Sequence, residues 1–465
     1  MFAVFLVTSI ILATSTILFS IFQSIQNDPY MDEVFHVPQG RHYCHHNFTH
    51  WDPMITTLPG LYLSSVVILS PLAWVKQVDL LSVCSTQNLR ACNILFNLGN
   101  FLLLYQLSRR LQDRKDRHKK VQHLMNACVL TLFPVLYFFT WFYYTDPGST
   151  FFTLLMYSLC LGQKHFLAAL IGCIAIVFRQ TNVIWVLFCV AIAKIEVLEQ
   201  FLKSKKLVRE NFHSLEDLHA FKLIVKAVFE SPSTCLTVIK DIICKVFWYL
   251  CVLLAFAVFV YLNEGIVVGD RKHHQAVLNF PQVFYFLAAS AVFSFVHLIS
   301  PMKIKIFLCV VLKNPVKFLL FTSVMVYLVR TFTYEHKYTL SDNRHYTFYV
   351  WSYIYRRHDM VRYALIPGYI FCLYQFYSLT IHKGLLWRVT MIICLLAVLV
   401  PQALFEFRYY IVPFYIVRLN MRLPCSKLLF VELLFYVLIN AFTVYMFVKR
   451  PFFWPNEASP QRFMW

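Results

Sequence analysis

The feature that most constrains this chain is a succession of long apolar runs separated by short polar stretches. Such runs lie near 2–22, 89–107, 124–142, 149–163, 166–178, 183–195, 244–262, 281–299, 317–332, 361–379, 386–404 and 427–447 of the 465 residues. A helix needs roughly 20 apolar residues to cross a bilayer, and only helices or closed barrels satisfy their own backbone there. The expectation is an all-α polytopic membrane protein, one integral membrane domain over 1–465. It should have about twelve, and at most about fourteen, transmembrane helices. Charged residues make up 14% of the chain, where a soluble domain carries roughly 25%. Forty-six Phe and 27 Tyr suit lipid-facing surfaces and interfacial belts. Ten Gly argue against a bundle built on small-xxx-small contacts.

A net charge of +19 raises nucleic acid as a partner. The distribution excludes it, because the basic residues sit in short loops between spans, where they set orientation and meet anionic headgroups. The 14 cysteines fall mostly inside apolar runs, where Cys acts as a small hydrophobe. No CxxC, zinc spacing, P-loop or GxGxxG occurs. Residues 1–22 read as a retained first span, with almost no basic n-region and no clear small-residue cleavage site.

Topology follows from charge. The cluster Arg109–Lys120 and the basic residues around Lys203, Lys205, Lys206 and Arg209 belong in the cytosol by the positive-inside rule. The stretch 58–75 decides the parity of what precedes them. It is short and carries Pro59 and Pro71, so it is expected to lie in the interface rather than to span. Residues 23–88 then form a long first loop on the far, luminal face, the N-terminus is cytosolic, and 194–243 forms a cytosolic loop. The same parity gathers on the luminal face Tyr144–Gly148, Arg179–Asn182, Gly269–Gln275, a loop over 333–360 and Glu406–Tyr410. Asn47-Phe48-Thr49 is a glycosylation sequon on that face. Cys44 and Cys84 share it and could pair, although nothing in their spacing favours the pairing.

Acids are scarce, 23 against 42 Lys and Arg, yet Asp32 and Glu33 stand together where the first span ends. Carboxylates near hydrocarbon are costly and mark function. One plausible division makes Asp32 a general base and Glu33 a positioning group; the plainer role for Glu33 is a salt bridge to Arg41 or another luminal Arg. A second rich stretch holds His336, Lys337, Asp342, Asn343, Arg344 and His345. Its Arg, Lys and His side chains suit a phosphate, and Asp342 and Asn343 suit a turn or a sugar hydroxyl. Arg179 and Arg408, among apolar neighbours, are either phosphate ligands or interfacial anchors. Asp270 lies in a further polar loop. Histidines crowd the first loop without a helical His pair plus carboxylate, so no metal is expected.

These residues resemble a known family. Met31–Gln39, Trp51–Tyr62, Tyr144–Asp146, Phe178–Trp185, Gly269–His274, Ser341–Tyr349 and Glu406–Tyr410 are similar to the motifs of the endoplasmic-reticulum α-1,2-glucosyltransferases. The resemblance covers nearly the whole chain and is weakest over 194–243. It implies a GT-C membrane glycosyltransferase fold in the endoplasmic reticulum membrane with a luminal site. The implied donor is dolichyl phosphate glucose and the implied acceptor a diglucosylated oligosaccharide on dolichyl diphosphate. The reaction would invert the anomeric centre and need one base, for which Asp32 matches the position in this fold class, while Arg344, His345, Lys337 and Arg408 are candidates to stabilise the leaving phosphate. No cofactor, metal or obligate protein partner is implied. Two other readings are a transporter or channel-modulating scaffold, which the absence of a visible inverted repeat disfavours, and a mannosyltransferase of the same fold.

Overall fold

A computed structural model describes residues 2–112, 119–205, 217–271, 274–455, 457 and 459–465. Arg114, Lys115, Arg117, His118, Lys206, Arg209, Lys272 and His273, all parts of basic stretches noted above, lie outside the described residues.

Among these residues the architecture is all-helical, with only isolated bridges His345–Met464 and Phe452–Gln461 as extended pairing. Pro134, Pro232, Pro281, Pro301 and Pro315 each open a helix, where the missing N–H costs nothing and the fixed φ is already helical. Ser85, Ser231 and Ser300 cap helices by accepting an N–H from Asn88, Thr234 and Lys303.

Among the described residues, six helices are long and apolar enough to cross a membrane: Phe2–Ile25, Gln180–Ser204, Pro232–Leu262, Pro315–Phe332, Val361–Lys383 and Ser426–Lys449. Shorter apolar helices cover Gly60–Lys76, His165–Phe178, Pro281–Phe293 and Leu385–Leu399. These features support a polytopic membrane protein. The expected dozen spans contract under this criterion for physical reasons. Thr86–Leu111 is long but carries buried Arg90, Asn93, Asn97 and Asn100. The run 124–142 breaks at Pro134 into Lys120–Thr131 and Pro134–Phe139. Within 194–243 the described residues are largely helical: the helix from Val183 runs on to Ser204, Asp217–Val228 is helical, and the next begins at Pro232.

The core centres on residues 133–150, buried without a break. Phe22 of the first helix stacks on Phe447 of the last at 4.6 Å, beside Phe138 and Trp141. Phe133 stacks on Phe414 at 4.4 Å. The buried Glu432 is paired in this apolar interior, where an unpaired charge is costly: Arg418 and His297 both reach it at 2.7 Å.

The first loop is a folded layer containing Glu33–Cys44, Gly60–Lys76 and Leu80–Val83. Cys44 and Cys84 are joined by a disulfide, correcting the expectation from spacing. They are 40 residues apart, and what brings them together is the return of the chain along helix Gly60–Lys76. A second tie is backbone to backbone: Asp270 N–H donates to Pro53 O at 2.9 Å. A Cβ on Gly269 would fall 2.4 Å from that carbonyl, so only glycine allows the approach.

Candidate active site

The chain leaves helix Phe2–Ile25 and turns at Met31, whose φ of 56° is a left-handed conformation uncommon for a non-glycine residue. Beyond this turn the two adjacent acids face different surroundings. The Asp32 side chain is 42% exposed, and its Oδ2 lies 3.0 Å from Arg408 Nη1. Its backbone N–H donates to Tyr144 Oη at 3.2 Å. Burial pushes the Asp32 pKa up, but neighbouring positive charge, above all that of Arg408, outweighs it and holds the carboxyl below its usual value. His36, one helical turn on, is pushed down to about 4, chiefly by burial and against the pull of Asp32; it is neutral at neutral pH and shares a 2.6 Å hydrogen bond with Tyr62.

Glu33 points inward and is fully buried. Oε1 accepts from Arg90 Nε at 2.8 Å and Tyr143 N at 2.6 Å, and Oε2 from Arg90 Nη2 at 2.6 Å and Tyr30 N at 3.0 Å. Both carboxylate oxygens are thus engaged in holding structure, and the partner is Arg90, not Arg41. Arg90 also donates to Gln23 Oε1, Gln26 O and Asp28 O. One guanidinium therefore ties the end of the first span to the acid turn. Asn93, one turn further along the same helix, donates to Phe142 O and Tyr144 O and shapes the segment that carries Tyr143 and Tyr144. Sequence reading does not single out Arg90; the only signal was the cost of a charge inside an apolar run.

Arg408 joins the two halves of the site. It binds Asp32 on one side and Glu406 at 3.0 Å on the other, and lies over the rings of Tyr144 and Phe139. Arg179 Nη1 meets Asp146 Oδ1 at 3.2 Å, and its Nε donates to Thr145. Arg179, Asp146, Asn182, Gln402 and Arg408 line a pocket of about 380 Å³ that includes its open mouth. Asp146 Oδ2 is buried there and accepts no hydrogen bond, an acceptor available to an incoming hydroxyl. Sequence reading does not name Gln402, and it reaches Asp146 only as part of the motif Tyr144–Asp146, without a role.

The loop after the helix at Pro315 is brought to the same region in part. His345 lies within electrostatic reach of Asp32. Arg344 is consumed locally, since Nε and Nη2 bind the two oxygens of Asp342 at 2.9 and 2.8 Å and Nη1 donates to Gln461 Oε1. Asn343 Oδ1 accepts from Trp454 Nε1. His336 accepts from Tyr338 N at the head of helix Lys337–Ser341, and Lys337 is exposed. Asp270 belongs to the segment docked on Pro53. Asn47 is exposed, its Oδ1 accepting from Thr49. Among the described residues no three His, Cys, Asp or Glu side chains converge as metal ligands.

A protein of Rattus norvegicus named Dol-P-Glc:Glc(2)Man(9)GlcNAc(2)-PP-Dol alpha-1,2-glucosyltransferase is 44% identical over 97% of this chain and 96% of its own length. A Homo sapiens protein of the same name is 42% identical over 97% and 96%, and one of Drosophila melanogaster 33% over 94% of each. No solved structure matches. The sequence profile of the DIE2/ALG10 family matches residues 26–419, and with relatives aligned end to end, the chain belongs to that family.

Proposed function

We propose that this protein transfers glucose from dolichyl phosphate glucose to a diglucosylated, mannose-rich oligosaccharide on dolichyl diphosphate, forming an α-1,2 bond with inversion. The observation that carries this is the end-to-end likeness to relatives named for that reaction. The site is chemically suited to it. Asp32 is ionised, half-open and hydrogen-bonded in place, as a base taking the proton of an attacking sugar hydroxyl must be. A single base is enough for one displacement. Arg408 and Arg179 at the pocket rim supply fixed positive charge where the phosphate leaves, and Asp146 Oδ2 accepts a sugar hydroxyl. Glu33 serves as support rather than as a second reacting acid.

The reading places the site in the endoplasmic-reticulum lumen of a GT-C fold. The Cys44–Cys84 bridge supports it twice. Disulfides persist in oxidising compartments. The bridge also disfavours a membrane crossing by helix Gly60–Lys76, because residues 77–83, partly helical, are too short to recross a bilayer about 30 Å thick.

The test is Asp32→Asn in a microsomal assay. The variant folds, loses turnover and leaves the diglucosylated lipid-linked oligosaccharide accumulating. Wild-type turnover in that variant would sink the assignment of the base, and accumulation of a mannose-deficient precursor would redirect the sugar.

A further inference from the structure

The described residues Phe452–Pro455 and Ser459–Trp465 reach back to three segments of the candidate site. Tyr30 Oη, two residues before Asp32, donates to Arg462 O and accepts from Arg462 N, each at 2.8 Å. Met464 N donates to Arg344 O at 2.9 Å, and Tyr346 N to Met464 O at 3.1 Å. The Trp465 ring lies 5.5 Å from Phe407, the neighbour of Arg408, and 5.0 Å from Tyr346. Segments bearing Asp32, His345 and Arg408 are thus held by one stretch of chain.

The contacts also divide the roles in the loop. Arg344 has its charge met by Asp342, its Nη1 by Gln461, and its face by the Trp454 ring at 4.6 Å. It is a holder. His345 Nδ1 lies 3.1 Å from Trp465 O. That oxygen only accepts, so Nδ1 carries a proton, and Nε2, 4.0 Å from Asp342 Oδ2, donates to a phosphate oxygen when the ring is protonated on both nitrogens.

We propose that Ser459–Trp465 is a positioning element of the reaction centre, which sets His345 to meet the phosphate of a polyprenyl phosphate, with Tyr30 and Trp465 as the anchoring side chains. This rests on the glucosyltransferase reading for the identity of the donor, and deepens it by naming what orients the phosphate-binding group.

The test uses the full chain in lipid nanodiscs and sugar-free, short-chain dolichyl phosphate as the calorimetric probe. Glucosyl transfer is measured in parallel. Trp465→Ala is expected to weaken dolichyl phosphate binding on the order of 10- to 100-fold, with little change in melting temperature and an unchanged acceptor KM; Tyr30→Phe weakens binding likewise but also lowers the melting temperature, because the Arg462 backbone loses two buried partners. Trp465→Phe, which keeps a ring against Phe407, restores most of the affinity. His345→Ala reproduces the loss, and combining it with Trp465→Ala adds little. Unchanged phosphate affinity in Trp465→Ala would overturn the proposal, as would a fall in donor affinity, acceptor affinity and melting temperature together. Absence of glucose transfer by the wild-type protein would refute the functional reading alone, since the phosphate titration judges the segment independently.

Discussion

Glu33 and Asp32 are neighbours in sequence and opposites in consequence, and their amide variants should separate stability from chemistry. Glu33→Gln leaves Arg90, 1% exposed, without a counter-charge. It also turns an NH₂ toward donors that now meet an acceptor. Removing one partner of a buried ion pair costs about 3–5 kcal/mol. The amide N–H groups of Tyr30 and Tyr143, which each donate to Glu33, compete for the single oxygen that remains. Their partial loss falls within that range rather than adding to it, because all four bonds form one network. The expected result is a large drop in apparent melting temperature in detergent, while the fraction still folded at low temperature turns over at a rate near wild type. Asp32→Asn should do the reverse. Its side chain is 42% exposed, so melting changes little, while loss of a general base lowers turnover by roughly 10²–10⁴-fold. Glu33→Leu with Arg90→Met should recover only part of the lost stability. Replacing the pair with apolar groups removes the stranded charge, but the ties from Arg90 to Gln23, Gln26 and Asp28 go with it. The reasoning fails if Glu33→Gln melts like wild type and yet is inactive, for Glu33 would then belong to the chemistry.

Two further outcomes follow from the same geometry. Arg408 is the largest of the charges that hold Asp32 below its ordinary pKa, so in Arg408→Gln the acid limb of the kcat/KM profile should move to higher pH; no shift, or a downward one, would refute the coupling. The linked stability has the sign of a depressed carboxylate, present above the unfolded pKa near 3.8 and lost as pH falls through the lower folded value. For topology, exposed Asn47 should carry a glycan removable by endoglycosidase and absent in Asn47→Gln, and Cys44 should resist alkylation until reduction, or until Cys84 is changed to Ser. An unmodified Asn47 together with a freely alkylated Cys44 would place the first loop in the cytosol.

The acids of the site were legible because charge stands out against apolar runs, and Asp32 could be named from its place at the end of the first one. The same contrast explains what stayed hidden. Arg90, Arg418 and Glu432 lie inside helices whose other residues dominate the pattern, and their meaning depends on partners that only folding supplies: Glu33 is 57 residues from Arg90, and His297 is 121 from Arg418. Tyr30 meets Arg462 across 432 positions, a distance over which no periodicity or spacing carries information. Arg344 shows the converse error. Its residue type suggested a phosphate ligand, but a guanidinium bidentate to Asp342 and resting on Trp454 already has its partners. Residue type therefore says which chemistry is possible at a position. Whether the group is offered to substrate depends on which of its hydrogen bonds the fold has already made, and by that criterion the half-exposed Asp32, held by Arg408 through Oδ2, is the more open acid, whereas Glu33 and Arg344 are engaged.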